Sequence, residues 1–196
     1  MQFFVLPFPM HRAVFLDRDG VLNRAIVRNG RPFAPTSLDE FEILPDVPEA
    51  TRLLHEAGFL LIVATNQPDV GNGLVTQEIV GHMHDRLRQA LPLDDILVCC
   101  DTQDGQSSRR KPQPGMLLEA AAARNIDLTQ SFMVGDRWKD IGAGRAAGCR
   151  TVLIQRNYEE KQAVNPDHVV YSLSEAAQII LKSADVILKG SSSSNP

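Results

Sequence analysis

A chain of 196 residues has room for one α/β domain with a full core, and two complete domains would be a squeeze. The composition, 43% hydrophobic and 22% charged, is that of a soluble globular protein, and the net charge of -4 gives no basis for a nucleic-acid partner. The one basic cluster, Arg109-Arg110-Lys111, is too short to track a duplex.

Cys99, Cys100 and Cys149 cannot build a paired disulfide framework, which points to reduced thiols and a cytoplasmic protein. The opening MQFFVLPFPM lacks a basic region and a long apolar run, so neither a signal peptide nor a membrane-spanning helix is expected. Residues 1–10 read as a loose extension, residues 11–185 as a single domain, and residues 186–196, with their KGSSSSNP, as a disordered tail.

In chain order, Ala13–Leu16 is a short apolar run read as a buried strand, followed by a Gly/Pro-punctuated segment through Ala34-Pro35. Asp46-Val47-Pro48-Glu49 opens a helix: Asp46 suits the N-cap, Pro48 the first turn and Glu49 the reciprocal position of a capping box. Leu53, Leu54 and Ala57 supply its apolar stripe and Gly58 ends it. Phe59–Ala64 is near-continuously apolar, as a parallel strand covered on both faces must be. A helix from about Thr76 to Gln89, a strand over Ile96–Cys99 and an Ala/Leu-rich helix from Pro114 to about Asn125 come next. Then follow a strand at Phe132–Val134, a helix at Lys139–Ala147 closed by Gly148, a strand at Thr151–Ile154, a strand at His168–Tyr171 and a helix capped by Ser174. This alternation predicts an α/β fold, a parallel sheet with helices on both faces. Ligands of such sheets bind at the carboxyl ends of the strands.

Those ends carry the polar residues. The first strand runs into Asp17-Arg18-Asp19-Gly20, the second into Thr65-Asn66-Gln67 and the fourth into Gly135-Asp136-Arg137, with Asp140 nearby; Arg110-Lys111-Pro112 follows the loop after the third. Converging at one sheet edge, they predict a catalytic site. Asp17, Asp19 and Asp136 would repel one another, and a hard cation such as Mg²⁺ resolves the repulsion while also binding phosphate oxygens. Lys111 and Thr65 can then hold phosphoryl oxygens, Asp17 can attack phosphorus, and Asp19, two residues on along an extended chain, can act as acid and base.

DxDGV at Asp17–Val21, Thr65, Lys111 and GDxxxD at Gly135–Asp140 resemble the four motifs of the haloacid dehalogenase superfamily, a likeness running from about Arg12 to Tyr171. FLDRDGVLN, TNQ, RKPxPGM and MVGDR look more closely like the heptose bisphosphate phosphatases, whose subclass also holds histidinol-phosphate phosphatases. The resemblance implies a Rossmann-like fold with little or no cap domain, and a phosphatase working through an aspartyl-phosphate on a small phosphorylated metabolite, a sugar phosphate in carbohydrate metabolism. It implies Asp17, Asp19, Thr65 and Lys111 as catalytic, Mg²⁺ on Asp17, the Asp19 carbonyl and Asp136, and Asn66, Arg110 and Arg137 on the rest of the substrate. No further partner is implied, and a monomer is expected.

The chain also departs from that pattern. The family often carries a zinc loop before RKP, but here the stretch reads Cys99-Cys100-Asp101 and then Ser107-Ser108-Arg109, with Cys99 alone at a ligand position; four N/S donors are needed, so no zinc is expected. Pro68–Gly73 and the flap Gly30–Glu40 are likewise unlike the heptose enzymes.

Several residues keep two readings. Asp140 is either a helix N-terminal acid or a residue orienting Asp136 or Lys111, and Arg137 either a surface residue or a substrate contact. Cys99 and Cys100 read as small hydrophobes at a strand end, and the five histidines as structural or surface residues. The competing functions are a histidinol-phosphate phosphatase and, from another class, a catalytically inactive regulatory protein on the same fold.

Overall fold

The computed structural model describes residues 10–102 and 107–191. Strands β1 (Arg12–Leu16), β4 (Phe59–Asn66), β5 (Asp95–Cys99), β6 (Phe132–Gly135), β7 (Arg150–Ile154) and β8 (His168–Val170) form one sheet in the order β5-β4-β1-β6-β7-β8, and every neighbouring pair is parallel. Strands β2 (Ile26–Arg28) and β3 (Arg31–Phe33) make a separate antiparallel hairpin. The helices are α1 (Val47–Glu56), α2 (Pro68–Gly71), α3 (Gln77–Ala90), α4 (Gly115–Arg124), α5 (Trp138–Ala147) and α6 (Leu173–Ser191). No helix among the described residues is long and apolar enough to cross a membrane.

The central strands are apolar on both faces because both are covered. Along β1, Val14 and Leu16 pack into one core with Val47, Ala50 and Leu54 of α1, Met83 and Leu87 of α3 and Ala176, Ala177 and Ile180 of α6. The alternate residues Ala13 and Phe15 enter the other core, against Met116, Leu117 and Ala120 of α4 and Ala147 of α5. A period of two in a strand sends successive side chains to opposite sheet faces, so one apolar run serves two helical layers.

Asp46 stands at the N-cap of α1 as expected, but the capping bonds of α1 and α6 and the end of α6 are corrected. Asp46 precedes α1, but its carboxylate makes no cap; Asp46 Oδ2 accepts the Ser174 backbone N–H at 3.1 Å, tying α1 to α6, while Glu49 pairs with Arg52. Ser174 is not the cap of α6: Ser172 Oγ accepts the Glu175 N–H at 3.1 Å. Helix α6 also continues to Ser191, into the stretch expected to be a tail. Residues 1–9 and 192–196, parts of the expected extension and tail, lie outside the described residues.

Candidate active site

The site gathers at the C-terminal ends of β4, β1 and β6, the three central strands. Asp17 directly follows β1, and its N–H still bonds Val134 O of β6 at 3.0 Å, so the nucleophile candidate is held by the sheet itself. The chain then turns at Gly20, whose φ of +83° suits a residue without a side chain; a Cβ there would stand 1.8 Å from Asp136 Oδ2. Thr65 and Asn66 close β4, Asp136 follows β6, and Asp140 sits in the first turn of α5.

Lys111 comes from the loop between β5 and α4. Its ammonium lies 2.8 Å from Asp17 Oδ1 and 2.6 Å from Asp140 Oδ1, with the side chain 2% exposed. Burial alone would lower its pKa, but Asp140 and Asp17 outweigh that and hold it above the usual lysine value. Asn66 fixes the loop: its Nδ2 donates to Lys111 O at 3.0 Å and its Oδ1 accepts the Lys111 N–H at 3.1 Å. The Asn66 amide, expected on substrate, is therefore occupied by the backbone that carries the lysine, although the residue does line the cavity.

Asp17, Asp136 and Asp140 place ligand oxygens within 4.8 Å of one another. Burial, then Asp17, then Asp140 push the Asp136 carboxyl well above its ordinary range; burial and Asp17 likewise push Asp140 up to about 6. Asp136 Oδ2 accepts the Tyr158 hydroxyl at 2.8 Å, while its buried Oδ1 has no partner. Asp140, by contrast, uses both oxygens within the chain, Oδ1 on Lys111 and Oδ2 on the Arg137 N–H at 3.0 Å. An orphaned carboxylate oxygen in a crowd of hard anionic donors fits a divalent cation such as Mg²⁺. The fit favours Asp17 and Asp136 as side-chain ligands and gives Asp140 the task of steadying Lys111.

Asp19 lines the same cavity with its carboxylate fully engaged. Arg18 Nε donates to Oδ1 and Arg18 Nη2 to Oδ2, each at 3.1 Å; Asn23 Nδ2 adds 3.0 Å to Oδ1 and Gln67 Nε2 adds 2.8 Å to Oδ2. The same Gln67 amide donates to Thr65 Oγ1 at 3.0 Å, which leaves the threonine hydroxyl proton free to point elsewhere. Arg18 is wholly buried, stacked near Phe41 and 3.2 Å from His84 Nε2. Burial and then the Arg18 charge push that imidazole down to about 4.

Arg110 and Arg137 both border the cavity, which has a volume of about 500 Å³. Arg110 Nη1 donates to Asp101 O at 2.5 Å and so fastens the loop that lacks the zinc ligands. In that loop Cys99 Sγ meets Asp101 Oδ2 at 3.4 Å and Ser107 Oγ at 4.0 Å. Arg137 is paired with Glu160, its Nε 2.8 Å from Oε1.

Sequence reasoning missed the connection between β7 and β8. Residues 155–163 cross the site as a strap: Arg156 Nε donates to Gly20 O at 3.0 Å, Tyr158 reaches Asp136, the Glu159 N–H donates to Gly30 O at 2.8 Å, and Glu160 takes Arg137. Its sequence, QRNYEEKQA, carries no periodicity and reads as an ordinary solvated loop.

Comparison with known proteins gives the family. The profile of the HAD-hydrolase-like family matches residues 108–176. The D-glycero-D-manno-heptose-1,7-bisphosphate 7-phosphatase of Thermosynechococcus vestitus is 32% identical over 191 residues, covering 86% of this chain and 94% of that protein. The D-glycero-beta-D-manno-heptose-1,7-bisphosphate 7-phosphatase of Yersinia pestis is 34% identical over 183 residues, with the same coverage. Among solved structures, the D,D-heptose 1,7-bisphosphate phosphatase of B. bronchiseptica, complexed with magnesium and phosphate, superposes with a TM-score of 0.73 at 28% identity, covering 88% of this chain and 99% of that one. With relatives above 30% identity along nearly their full length, and with acids and lysine grouped at one sheet edge, this chain belongs to the haloacid dehalogenase superfamily, in the family of the heptose bisphosphate phosphatases.

Proposed function

We propose that the chain is a Mg²⁺-dependent phosphatase that removes the 7-phosphate from D-glycero-D-manno-heptose 1,7-bisphosphate. The observation that carries this reading is the grouping of Asp17, Lys111 and Asp136 at the foot of one cavity, the size of which suits a sugar phosphate. The relatives' names supply the choice of sugar.

Asp17 Oδ1 receives both the Lys111 ammonium and the Arg18 N–H, at 2.8 Å each, so Oδ2 is the oxygen open for attack. It displaces the sugar oxygen from phosphorus and forms an aspartyl-phosphate. Asp19 gives the departing oxygen its proton and later takes one from the water that hydrolyses the intermediate. To do so it must exchange one of its Arg18, Asn23 or Gln67 contacts for that oxygen. Lys111 and the Thr65 hydroxyl hold the non-bridging phosphoryl oxygens. Asp17, Asp136 and the Asp19 carbonyl would hold Mg²⁺, which when bound would neutralise charge on the phosphoryl group. Arg110 is the substrate contact we favour, because among the described residues its guanidinium meets only a carbonyl, whereas Arg137 already has Glu160. The three free cysteines support a cytoplasmic setting.

Initial rates on heptose 1,7-bisphosphate, histidinol phosphate and a panel of sugar monophosphates test the reading. The heptose bisphosphate is expected to show the highest kcat/KM, with loss of its 7-phosphate, and chelation is expected to stop turnover until Mg²⁺ is returned. A preference for histidinol phosphate would overturn the substrate, and full activity in chelator would overturn the metal.

A further inference from the structure

Asp136 has one side-chain partner among the described residues, and that partner comes from the strap. Lys111 reaches Asp17 and Asp140 but makes no ion pair with Asp136. The Tyr158 hydroxyl donates to Asp136 Oδ2 at 2.8 Å, and Oδ1 is left buried without a partner. Tyr158 is itself closely located. A Cβ on Gly20 would come within 2.9 Å of the tyrosine oxygen, so the turn after Asp19 leaves just the space the hydroxyl fills. On either side of Tyr158, Arg156 Nε is bound to Gly20 O and the Glu159 N–H to Gly30 O.

A carboxylate anchored at one oxygen cannot turn about its last bond, so the lone pairs of the other keep a fixed direction. Groups that orient a metal ligand in this way influence affinity without touching the ion. We infer that Tyr158 is a positioning residue for cation binding: its hydroxyl holds Asp136 Oδ2 so that Oδ1 is presented to Mg²⁺. The inference rests on the Mg²⁺-dependent reading above. It makes the strap, and not only the sheet edge, part of the cation site.

Calorimetric titration of the full chain with Mg²⁺ alone tests it, beside Tyr158→Phe, which keeps the ring and removes the hydroxyl. The Phe variant is expected to bind Mg²⁺ on the order of ten-fold more weakly. In turnover, its half-saturating Mg²⁺ should rise by a similar factor while kcat at saturating Mg²⁺ stays within about two-fold. If wild type and Tyr158→Phe bind Mg²⁺ equally, the tyrosine only packs the strap and the inference falls while the phosphatase reading stands. If the wild-type chain takes up no Mg²⁺, both fall. A second measurement does not depend on the folding of the Phe variant. The chain has two tyrosines, so a Tyr171→Phe chain grown with 3-fluorotyrosine carries a single fluorine resonance, from Tyr158. That resonance is expected to move as Mg²⁺ is added; a stationary one overturns the inference.

Discussion

Lys111 and Asp140 meet at 2.6 Å, ammonium to carboxylate, with each side chain only 2% exposed. The second oxygen of Asp140 accepts the Arg137 N–H at the start of α5, so one carboxylate joins the lysine loop to the β6–α5 turn. Removing one partner of a buried pair leaves the other charge out of water. Asp140→Ala is therefore expected to lower stability by roughly 3–5 kcal/mol, read from urea unfolding in chelator. A loss below about 1 kcal/mol would show that Asp17 alone satisfies the lysine.

Asp17→Asn keeps the shape of the side chain and removes its nucleophilic charge. Phosphate release from any ester is expected to fall by about a thousand-fold or more, with the circular dichroism spectrum unchanged. Activity retained above a few per cent would exclude covalent catalysis by this residue.

Gly20→Ala strikes the same centre sterically. The position has a φ of +83°, and the new methyl would stand 1.8 Å from Asp136 Oδ2. The left-handed conformation alone costs an L-residue about 1–2 kcal/mol, and relief of the collision requires the buried acid or Tyr158 to move. Thermal melting in chelator is expected to show a loss beyond the conformational cost, and Mg²⁺ titration a weaker uptake. An unchanged Mg²⁺ affinity would mean that Asp136 moves aside freely.

Stability should carry a signature of His84. Burial first, and Arg18 second, hold its imidazole near 4, below the ordinary value of 6.5. Between those values the unfolded chain binds more protons than the folded one. This contribution to stability is present above pH 6.5 and is lost as the pH falls through about 4. A shift of that size is on the order of 3 kcal/mol at the acid limit. Chemical unfolding at a series of pH values is expected to show a shallower acid slope for His84→Gln, which removes the titrating group. Identical slopes would sink the assignment.

The sheet was legible because β1 and β4 are apolar without alternation, which in a soluble chain requires cover on both faces. The candidate site was legible because Asp17, Lys111 and Asp136 follow strand ends or lie in recognisable strings, and the fold brings them together. What escaped was the use to which polar side chains are put once packed. Asn66 and Asp46 read as a substrate contact and a helix cap, yet each binds backbone from elsewhere in the chain, Lys111 and Ser174. Those partners are 45 and 128 residues away, beyond any local pattern. Tyr158 escaped for the same reason, as its contact with Asp136 exists only after β7 and β6 pair.

The mouth of the cavity is built differently from its floor. The floor hangs on the sheet, whereas part of the rim comes from the β2–β3 hairpin and the strap, joined by the single main-chain bond from Glu159 to Gly30. Arg31, Phe33, Glu159 and Lys161 on that rim can be exchanged without disturbing a strand that carries a reacting group. Tyr158 and Arg156 on the same strap hold Asp136 and Gly20, so the rim is free to drift towards new phosphate esters only at positions that leave those two anchors in place.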